Sequence, residues 1–302
     1  MNKVVSVFLN PAIDNTIWVD SSDTDEPVSV VREERYAGGK GINVSKTLDV
    51  ARVENTAVGL IGKENEHVFL PLLQSSVKNF KFLYHDGKTR ENQTVVFPNG
   101  QILKINHSGK IENSILPRFK EMLLKEAKDA SFVAFCGRMP SGIERDEYID
   151  LMLSVKDKKL CVDTSSFSFE DYKKIRPYLI KPNKKELGDI LGEEVSDPVA
   201  SARKLVPFCE NVLVSLGEEG AILVNESGAY KAVPPKIKAL SNIGAGDAAF
   251  AGFLASKING EDDKKALINA VAFGTAKALV EGTGTVSDSK VEEIKKQIKV
   301  NF

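Results

Sequence analysis

Gly244-Ala245-Gly246-Asp247 stands directly before a strongly helical run, Ala248 to Ala255. Small residues at a helix start leave backbone N–H groups unpaired and facing outward. The helix dipole adds to their positive charge, so such a start attracts an anion. An acidic side chain there would repel a resting phosphate. It suits chemistry in which a carboxylate takes the proton from a hydroxyl attacking that phosphate. The glycine turn would then stabilise charge on the transferring group by roughly 3 kcal/mol per well-placed donor. The plainer alternative is a glycine-rich helix start in which Asp247 merely favours the dipole. Gly244-x-Gly246-x-x-Ala249 also matches the dinucleotide fingerprint, but that motif belongs in a βαβ unit, and here helices follow to the end of the chain. The pattern G-x-x-x-x-G-K-[ST] is absent, which disfavours a Walker-type kinase or ATPase.

Asn183-Lys184-Lys185-Glu186 follows a strand end. Spacing of i, i+3 puts the Asn and Glu side chains on one face of a starting helix. Both are hard-oxygen groups able to hold a hydrated Mg²⁺; the same pattern is also a helix-capping box. Gly38-Gly39-Lys40-Gly41 carries a lysine beside bare backbone, suited to a polyhydroxy or phosphorylated ligand, or is simply a flexible turn. Ser215-Leu216-Gly217-Glu218-Glu219-Gly220 ends a buried strand at the edge where α/β sheets bind ligands. Arg90, Asn92 and Arg138, each alone a surface residue, can together gather a substrate phosphate. Asp14 can hydrogen-bond sugar hydroxyls or serve in a turn. His67, His85 and His107 share no metal-ligand spacing and read as surface or loop residues.

The elements that must position these residues follow from periodicity. Val4–Leu9 reads as a buried strand, with β-rich pieces at Thr16–Val19 and Val28–Val31. A helix follows the first glycine segment, then a strand at Ala57–Ile61 and a helix at Val68–Val77. Thr94–Phe97 and Gln101–Ile105 form a hairpin around Asn99-Gly100. From about residue 115, strands Phe132–Cys136, Leu160–Val162, Tyr178–Ile180 and Val212–Ser215 alternate with helices near Pro117–Ala127, Asp146–Val155, Lys184–Leu191 and from Val199 to about Pro207. That alternation implies a parallel sheet covered on both faces. A hairpin, Ala221–Val224 with Tyr230–Val233, precedes three helices, Asp247–Ile258, Lys264–Val280 and Lys290–Ile298. Two β-only stretches, about 15–36 and 88–107, are too short for domains of their own but can pair into a small sheet serving as a lid.

Bulk properties exclude other classes. The chain has 302 residues, with 41 Lys+Arg against 42 Asp+Glu, so a polyanion-coated or nucleic-acid partner is disfavoured. Cys136, Cys161 and Cys209 lack metal-ligand spacing and read as small buried hydrophobes in a reducing compartment. No signal peptide and no apolar window of roughly eighteen residues is present, so no membrane span is expected. The reading is a cytoplasmic globular protein of one domain over 1–302.

Five segments occur in a telling order: Leu9-Asn10-Pro11-Ala12-Ile13-Asp14, Ala37-Gly38-Gly39-Lys40-Gly41-Ile42-Asn43-Val44, Lys181-Pro182-Asn183-x-x-Glu186, Ser215-Leu216-Gly217 and Gly244-Ala245-Gly246-Asp247. The series resembles the ribokinase-like (PfkB) sugar kinases, and within them the 1-phosphofructokinase and tagatose-6-phosphate kinase branch, from about residue 5 to residue 280. The resemblance implies a ribokinase-like three-layer α/β/α core with a mainly parallel central sheet and a small β-sheet lid. It implies ATP and Mg²⁺, a sugar-phosphate substrate, and a homodimer through the β lid as the assembly to consider. Carried over, Asp247 is the general base and Gly244, Ala245 and Gly246 the anion hole. Asn183 and Glu186 lie on the Mg²⁺–phosphate side with Lys181 near them, and Ser215, Gly217 and Gly220 line the nucleotide. Asp14, Gly39, Lys40 and Asn43 hold the sugar, while Arg90 and Asn92 meet its phosphate; Arg138, standing where the family has a serine near that phosphate, can strengthen its capture.

Three departures bear on the substrate. Ser241-Asn242-Ile243 stands where the family often has Asp-Thr, Gly137-Arg138-Met139-Pro140 replaces Gly-Ser-Leu-Pro, and Pro27-Val28-Ser29 replaces Val-Asn-Arg. The expected reaction is phosphorylation of fructose 1-phosphate at its 6-hydroxyl, with tagatose 6-phosphate as the alternative substrate. Fructose 1-phosphate is preferred on the resemblance of Gly62-Lys63-Glu64-Asn65 and of the stretch from Val233-Pro234-Pro235 to Gly246. A sugar-phosphate sensor without catalysis needs neither Asp247 nor Glu186, and a nucleotide-linked oxidoreductase is disfavoured by the misplaced fingerprint.

Overall fold

The apolar runs of the sequence become buried parallel strands, and the segments between them become helices on both faces. A computed structural model describes residues 2–23, 25–282 and 284–301; Met1, Thr24, Thr283 and Phe302, of which Thr24 falls in the first expected lid segment, lie outside it. Strands β1 (Lys3–Phe8), β2 (Ala12–Val19) and β3 (Val30–Gly38) lead into α1 (Lys40–Val50). Then come β4 (Glu54–Gly62), α2 (Glu66–Ser76), β5 (Phe80–His85), β6 (Arg90–Val96) and β7 (Ile102–Asn106). The regular alternation comprises α3 (Leu116–Ala127), β8 (Phe132–Cys136), α4 (Arg145–Leu153), β9 (Lys159–Asp163), α5 (Phe169–Ile175), β10 (Leu179–Ile180), α6 (Lys184–Leu191), α7 (Pro198–Arg203) and β11 (Asn211–Ser215). The chain ends with β12 (Ala221–Asn225), β13 (Gly228–Val233), α8 (Ala245–Ile258), α9 (Asp263–Ala278), α10 (Asp288–Lys295) and β14 (Lys299–Asn301).

A ten-stranded sheet runs β14-β13-β12-β11-β10-β9-β8-β1-β4-β5. It is parallel from β11 to β5 and antiparallel from β11 to β14. The period-two alternation of a strand splits its side chains between two cores. On one face Val5, Val7, Val133 and Phe135 pack with Phe119, Tyr148, Tyr172 and Leu187 from the helices α3 to α6. On the other, Val4, Phe132, Ala134 and Cys136 pack with Val44, Leu48, Phe250, Phe253 and Leu267 from α1, α8 and α9. This is the expected three-layer α/β/α arrangement, and it brings the carboxyl ends of β1, β8, β9, β10 and β11 to one edge.

A separate four-stranded sheet, β3-β2-β6-β7, is built from the two β-only stretches. Its register sets Asp14 opposite Asn92 and Ala12 opposite Arg90. It joins the main body through Ile13 and Ala37, which pack with Ile42, Phe69 and Leu73. Val30, Val31, Ile102 and Leu103 of this sheet remain exposed.

Several elements differ from the expectation. β3 begins at Val30 and runs to Gly38, rather than over Val28–Val31. Its charged centre, Arg32-Glu33-Glu34-Arg35, lies on an exposed edge strand, where no buried face imposes apolar alternation. β5 and α5 were not anticipated; α5 starts at a reciprocal capping box between Ser168 and Asp171. The final helix stops at Lys295, and Lys299–Asn301 pairs with β13 instead. His85 is buried, its Nδ1 against the Asp86 carbonyl, and not a surface residue. Cys136, Cys161 and Cys209 are buried and unpaired, as expected.

The approach of α1 to the sheet depends on missing side chains. A Cβ on Gly41 would lie 2.5 Å from the Val7 carbonyl oxygen, and one on Gly38 would overlap the Asp14 carboxylate. Gly39, at φ 113, makes the turn between β3 and α1. Gly41→Ala must therefore push α1 away from β1. The expected cost is about 1–3 kcal/mol, read as a lower denaturation midpoint with an unchanged m-value.

Candidate active site

Five strand ends and three helix starts deliver their residues to one cleft at the carboxyl edge of the large sheet, where open α/β sheets bind ligands. At its centre Asp163, the last residue of β9, is buried at 1 % exposure. Lys40 Nζ, from the start of α1, donates to Asp163 Oδ1 at 2.8 Å, and Lys181 Nζ, just past β10, is 3.4 Å from Oδ2. Burial alone would raise the Asp163 carboxyl, but Lys181 and Lys40 outweigh it and hold the group below its ordinary value. Lys40 also loses solvation, yet Asp163 and Asp247 raise it well above the usual lysine range.

Asp247 lies in the first turn of α8 and is buried. Asn43 Nδ2, one turn along α1, donates to its Oδ2 at 2.8 Å. Burial lifts the Asp247 carboxyl above its ordinary value; Lys40 works against this, and the Asp163 charge adds to it. Gly244, at φ 74, forms the cap before α8, and a Cβ there would stand 3.3 Å from Lys277 Cε and 3.7 Å from Asn43 Nδ2. A Cβ on Gly246 would stand 3.2 Å from Lys181 Nζ. The turn into α8 thus adjoins Lys181 and Asn43. A buried carboxylate, a helix start and two ammonium groups meet there.

The second sheet contributes the other wall. Asn92 Nδ2 donates to Asp14 Oδ1 at 2.8 Å, and Arg90 Nη1 donates to Asn92 Oδ1 at 2.8 Å. Burial raises the Asp14 carboxyl, with Asn92, Arg90 and Lys46 opposing. Arg90 makes no ion pair among the described residues; its Nε is buried without a partner, and its Nη2 reaches only the Asn10 carbonyl. Burial lowers the Arg90 pKa, Asp14 opposes this, and the like charge of Arg138 lowers it further. Arg138 is exposed and likewise forms no ion pair among the described residues. Two like-charged guanidinium groups thus act on each other here, and one of them keeps an orphaned N–H.

On the far wall, Asn183 and Ser215 are joined by an isolated bridge. The capping box is formed: Asn183 Oδ1 accepts from Glu186 N–H at 2.8 Å, and Glu186 Oε2 accepts from Asn183 N–H at 2.9 Å. Glu186 Oε1 has no such contact, and its carboxylate acts electrostatically on Lys40. The pair therefore fits a hydrated Mg²⁺ held partly through water, a mode Mg²⁺ favours. Among the described residues no cluster of three His, Cys, Asp or Glu stands ready as a closed metal cage. Gly217 and Gly220 shape the turn after β11; a Cβ on Gly220 would strike the Ala232 carbonyl at 2.0 Å.

Sequence reasoning missed Asp163, Lys46 and Lys277. Asp163 follows directly on an expected strand, so the carboxyl-edge rule was its available signal. Lys46 Nζ donates to the Ala37 carbonyl at 2.9 Å beneath Asp14, and burial pushes its pKa down to about 8, with Asp14 opposing. A cavity of ≈ 500 Å³ at the opposite sheet edge, by Arg176, Tyr178 and Asn225, contains none of the site residues.

The large sheet, the small sheet and the cleft between them define a ribokinase-like α/β fold. The family model of the pfkB family carbohydrate kinases matches residues 5–290, and the chain belongs to that family; it is an ATP-dependent kinase. It is similar to the tagatose-6-phosphate kinase of Staphylococcus epidermidis, with 30% identity over 98% of this chain and 99% of that protein. The 1-phosphofructokinase of Vibrio cholerae is 28% identical over 99% and 96%. Phosphofructokinase-2 from Escherichia coli, solved in complex with fructose-6-phosphate, superposes with a TM-score of 0.88 over 98% of this chain and 99% of that chain; at 22% identity it speaks for the fold. Among the described residues no helix is long and apolar enough to cross a membrane.

Removing the central anion leaves Lys40 and Lys181 facing each other without compensation. Asp163→Asn is expected to destabilise the protein by about 3–5 kcal/mol at neutral pH. The Asp163 pKa is depressed on folding, so its stabilisation is full above the unfolded value of about 3.9 and is lost as the pH falls through the folded one. Denaturation curves of wild type and variant should therefore converge toward strongly acidic pH.

Proposed function

We propose that the chain phosphorylates a ketose phosphate with ATP, most directly fructose 1-phosphate at its 6-hydroxyl to give fructose 1,6-bisphosphate. It would work in the cytoplasm as one kinase domain, with the small sheet as a discontinuous lid. The observation that carries the reading is the pairing of a buried base at an anion cradle with an orphaned Arg90 N–H beside Arg138 across the same cleft. A free sugar has no use for the guanidinium pair Arg90 and Arg138; a sugar phosphate has.

In this reading Arg90, Arg138 and Asn92 take the substrate phosphate, and Asp14, Gly39, Lys40 and Asn43 orient the sugar. Asp247 accepts the proton of the attacking hydroxyl as its oxygen bonds to the γ-phosphorus. The bond from that phosphorus to the β–γ bridging oxygen breaks, and ADP departs with the electron pair. The N–H groups of Gly244, Ala245 and Gly246 and the ammonium of Lys181 meet the charge on the transferring oxygens. Ser215, Gly217 and Gly220 line the nucleotide. Asn183 and Glu186 would hold Mg²⁺, which neutralises phosphate charge when bound. The exposed apolar residues of the small sheet support a homodimer through that sheet.

Asp247→Asn is expected to lower kcat about 10²–10⁴-fold with both KM values little changed, since the base acts in the transition state. In the wild type kcat/KM should fall on acidification at a pH above the ordinary carboxylate range, because Asp247 must be ionised and burial raises its pKa. Arg90→Ala should instead raise KM for the sugar phosphate. A coupled assay over fructose 1-phosphate and tagatose 6-phosphate checks the substrate. A larger kcat/KM for tagatose 6-phosphate would overturn the choice of fructose 1-phosphate, and turnover unaffected by Asp247→Asn would overturn the mechanism.

A further inference from the structure

One cation of the cleft has no part in the proposed mechanism. Lys277 projects from the last turn of α9 and is 6 % exposed. Among the described residues it forms no ion pair, although burying an unpaired ammonium is costly. Its Nζ donates to the Gly282 carbonyl at 2.6 Å, and its Cε lies 3.3 Å from where a side chain on Gly244 would begin. The chain leading to that glycine is tied to the same helix end, because the Leu240 and Ser241 N–H groups both donate to the Ala278 carbonyl. The charged groups acting on this ammonium are Asp247 from α8 and Lys46 from α1.

We infer that Lys277 is a positioning residue for phosphoryl transfer, whose side chain lies beside the Gly244–Gly246 turn and whose ammonium supplies fixed positive charge to it. The inference rests on the kinase reading above. The dipole of α9 favours a cation at its carboxyl end, which explains how a buried lysine is tolerated there. It does not explain why the side chain runs up beside the glycine turn of another helix. In a water-poor site a fixed charge behind three backbone N–H groups strengthens them where phosphoryl charge develops. Lys277 touches no substrate in this arrangement; it acts through the turn.

Charge is the property to test. Burial pushes the Lys277 pKa down to about 8 against the pull of Asp247, and Lys46 titrates in the same range. Wild-type kcat/KM for ATP, which reports the free enzyme, should therefore fall as the pH rises through about 8. Lys277→Met should lose roughly 10- to 100-fold in kcat with KM for the sugar phosphate nearly unchanged, and the alkaline limb should weaken to the part owed to Lys46. Lys277→Arg keeps the charge at any working pH, so it should recover most of kcat and move the limb upward. A fully active Lys277→Met, an unmoved limb in Lys277→Arg, or a folded Lys277→Arg as impaired as the Met variant would each overturn the inference. Should Lys277→Met fail to fold, the wild-type and Lys277→Arg profiles decide alone. A wild type inert toward ketose phosphates fails the kinase reading itself, which is a distinct result.

Discussion

A carboxylate sealed from water at the end of a middle strand, gripped by two ammonium groups from different elements, is the contact on which this cleft depends. Asp163 fixes the start of α1 relative to the end of β10 through Lys40 and Lys181. Each lysine then touches the chemistry: Lys40 acts electrostatically on Asp247, and Lys181 lies against Gly246. Two cations share one anion, so the group keeps surplus positive charge for phosphate oxygens. The arrangement costs desolvation, which the paired charges offset only while all three stay together.

The same burial that makes this triad costly tunes the base. A carboxylate in water would hold its proton too weakly to draw one from a sugar hydroxyl. Inside the cleft Asp247 is raised by desolvation, with Lys40 opposing and the neighbouring Asp163 charge adding to the rise. Asn43 donates to one of its carboxylate oxygens. Both supports come from α1, which the glycines at 38, 39 and 41 allow to dock hard against β1 and β2. The glycine segment and Asp247 are thus tied together through Asn43, 204 residues apart in the chain.

Most of this was legible where a local rule suffices. Asp247 after small residues at a helix start, Lys40 within bare backbone, and the Asn183–Glu186 spacing all announce themselves within four residues. The parallel sheet was legible from the alternation of short apolar runs with helices. Asp163 and Lys277 were not, because their meaning lies in what the fold brings beside them: one reads as a strand's polar end, the other as a stray lysine in the apolar run Ala272 to Leu279. β3 was only partly legible because an exposed edge strand carries charge on both faces, and β14 because three residues, Lys299–Asn301, hold no apolar pattern; β5 does carry one, with Phe80, Phe82 and Tyr84 alternating. Arg90 and Arg138 could be named from sequence, but only the register of β2 on β6 places Arg90 near Asn10 and the turn after β8.

The central claim is that one cleft, walled by the small sheet, sets a sugar hydroxyl between Asp247 and the cradle at Gly244–Gly246. The most direct measurement is a crystal structure with fructose 1-phosphate, Mg²⁺ and a non-hydrolysable ATP analogue bound together. The 6-hydroxyl is expected within about 2.6–3.2 Å of the Asp247 carboxylate. The terminal phosphoryl of the analogue is expected on the N–H groups of the cradle and the sugar's own phosphate on Arg90 and Arg138. A sugar bound with its hydroxyl remote from Asp247, or with its phosphate away from both arginines, would contradict the claim.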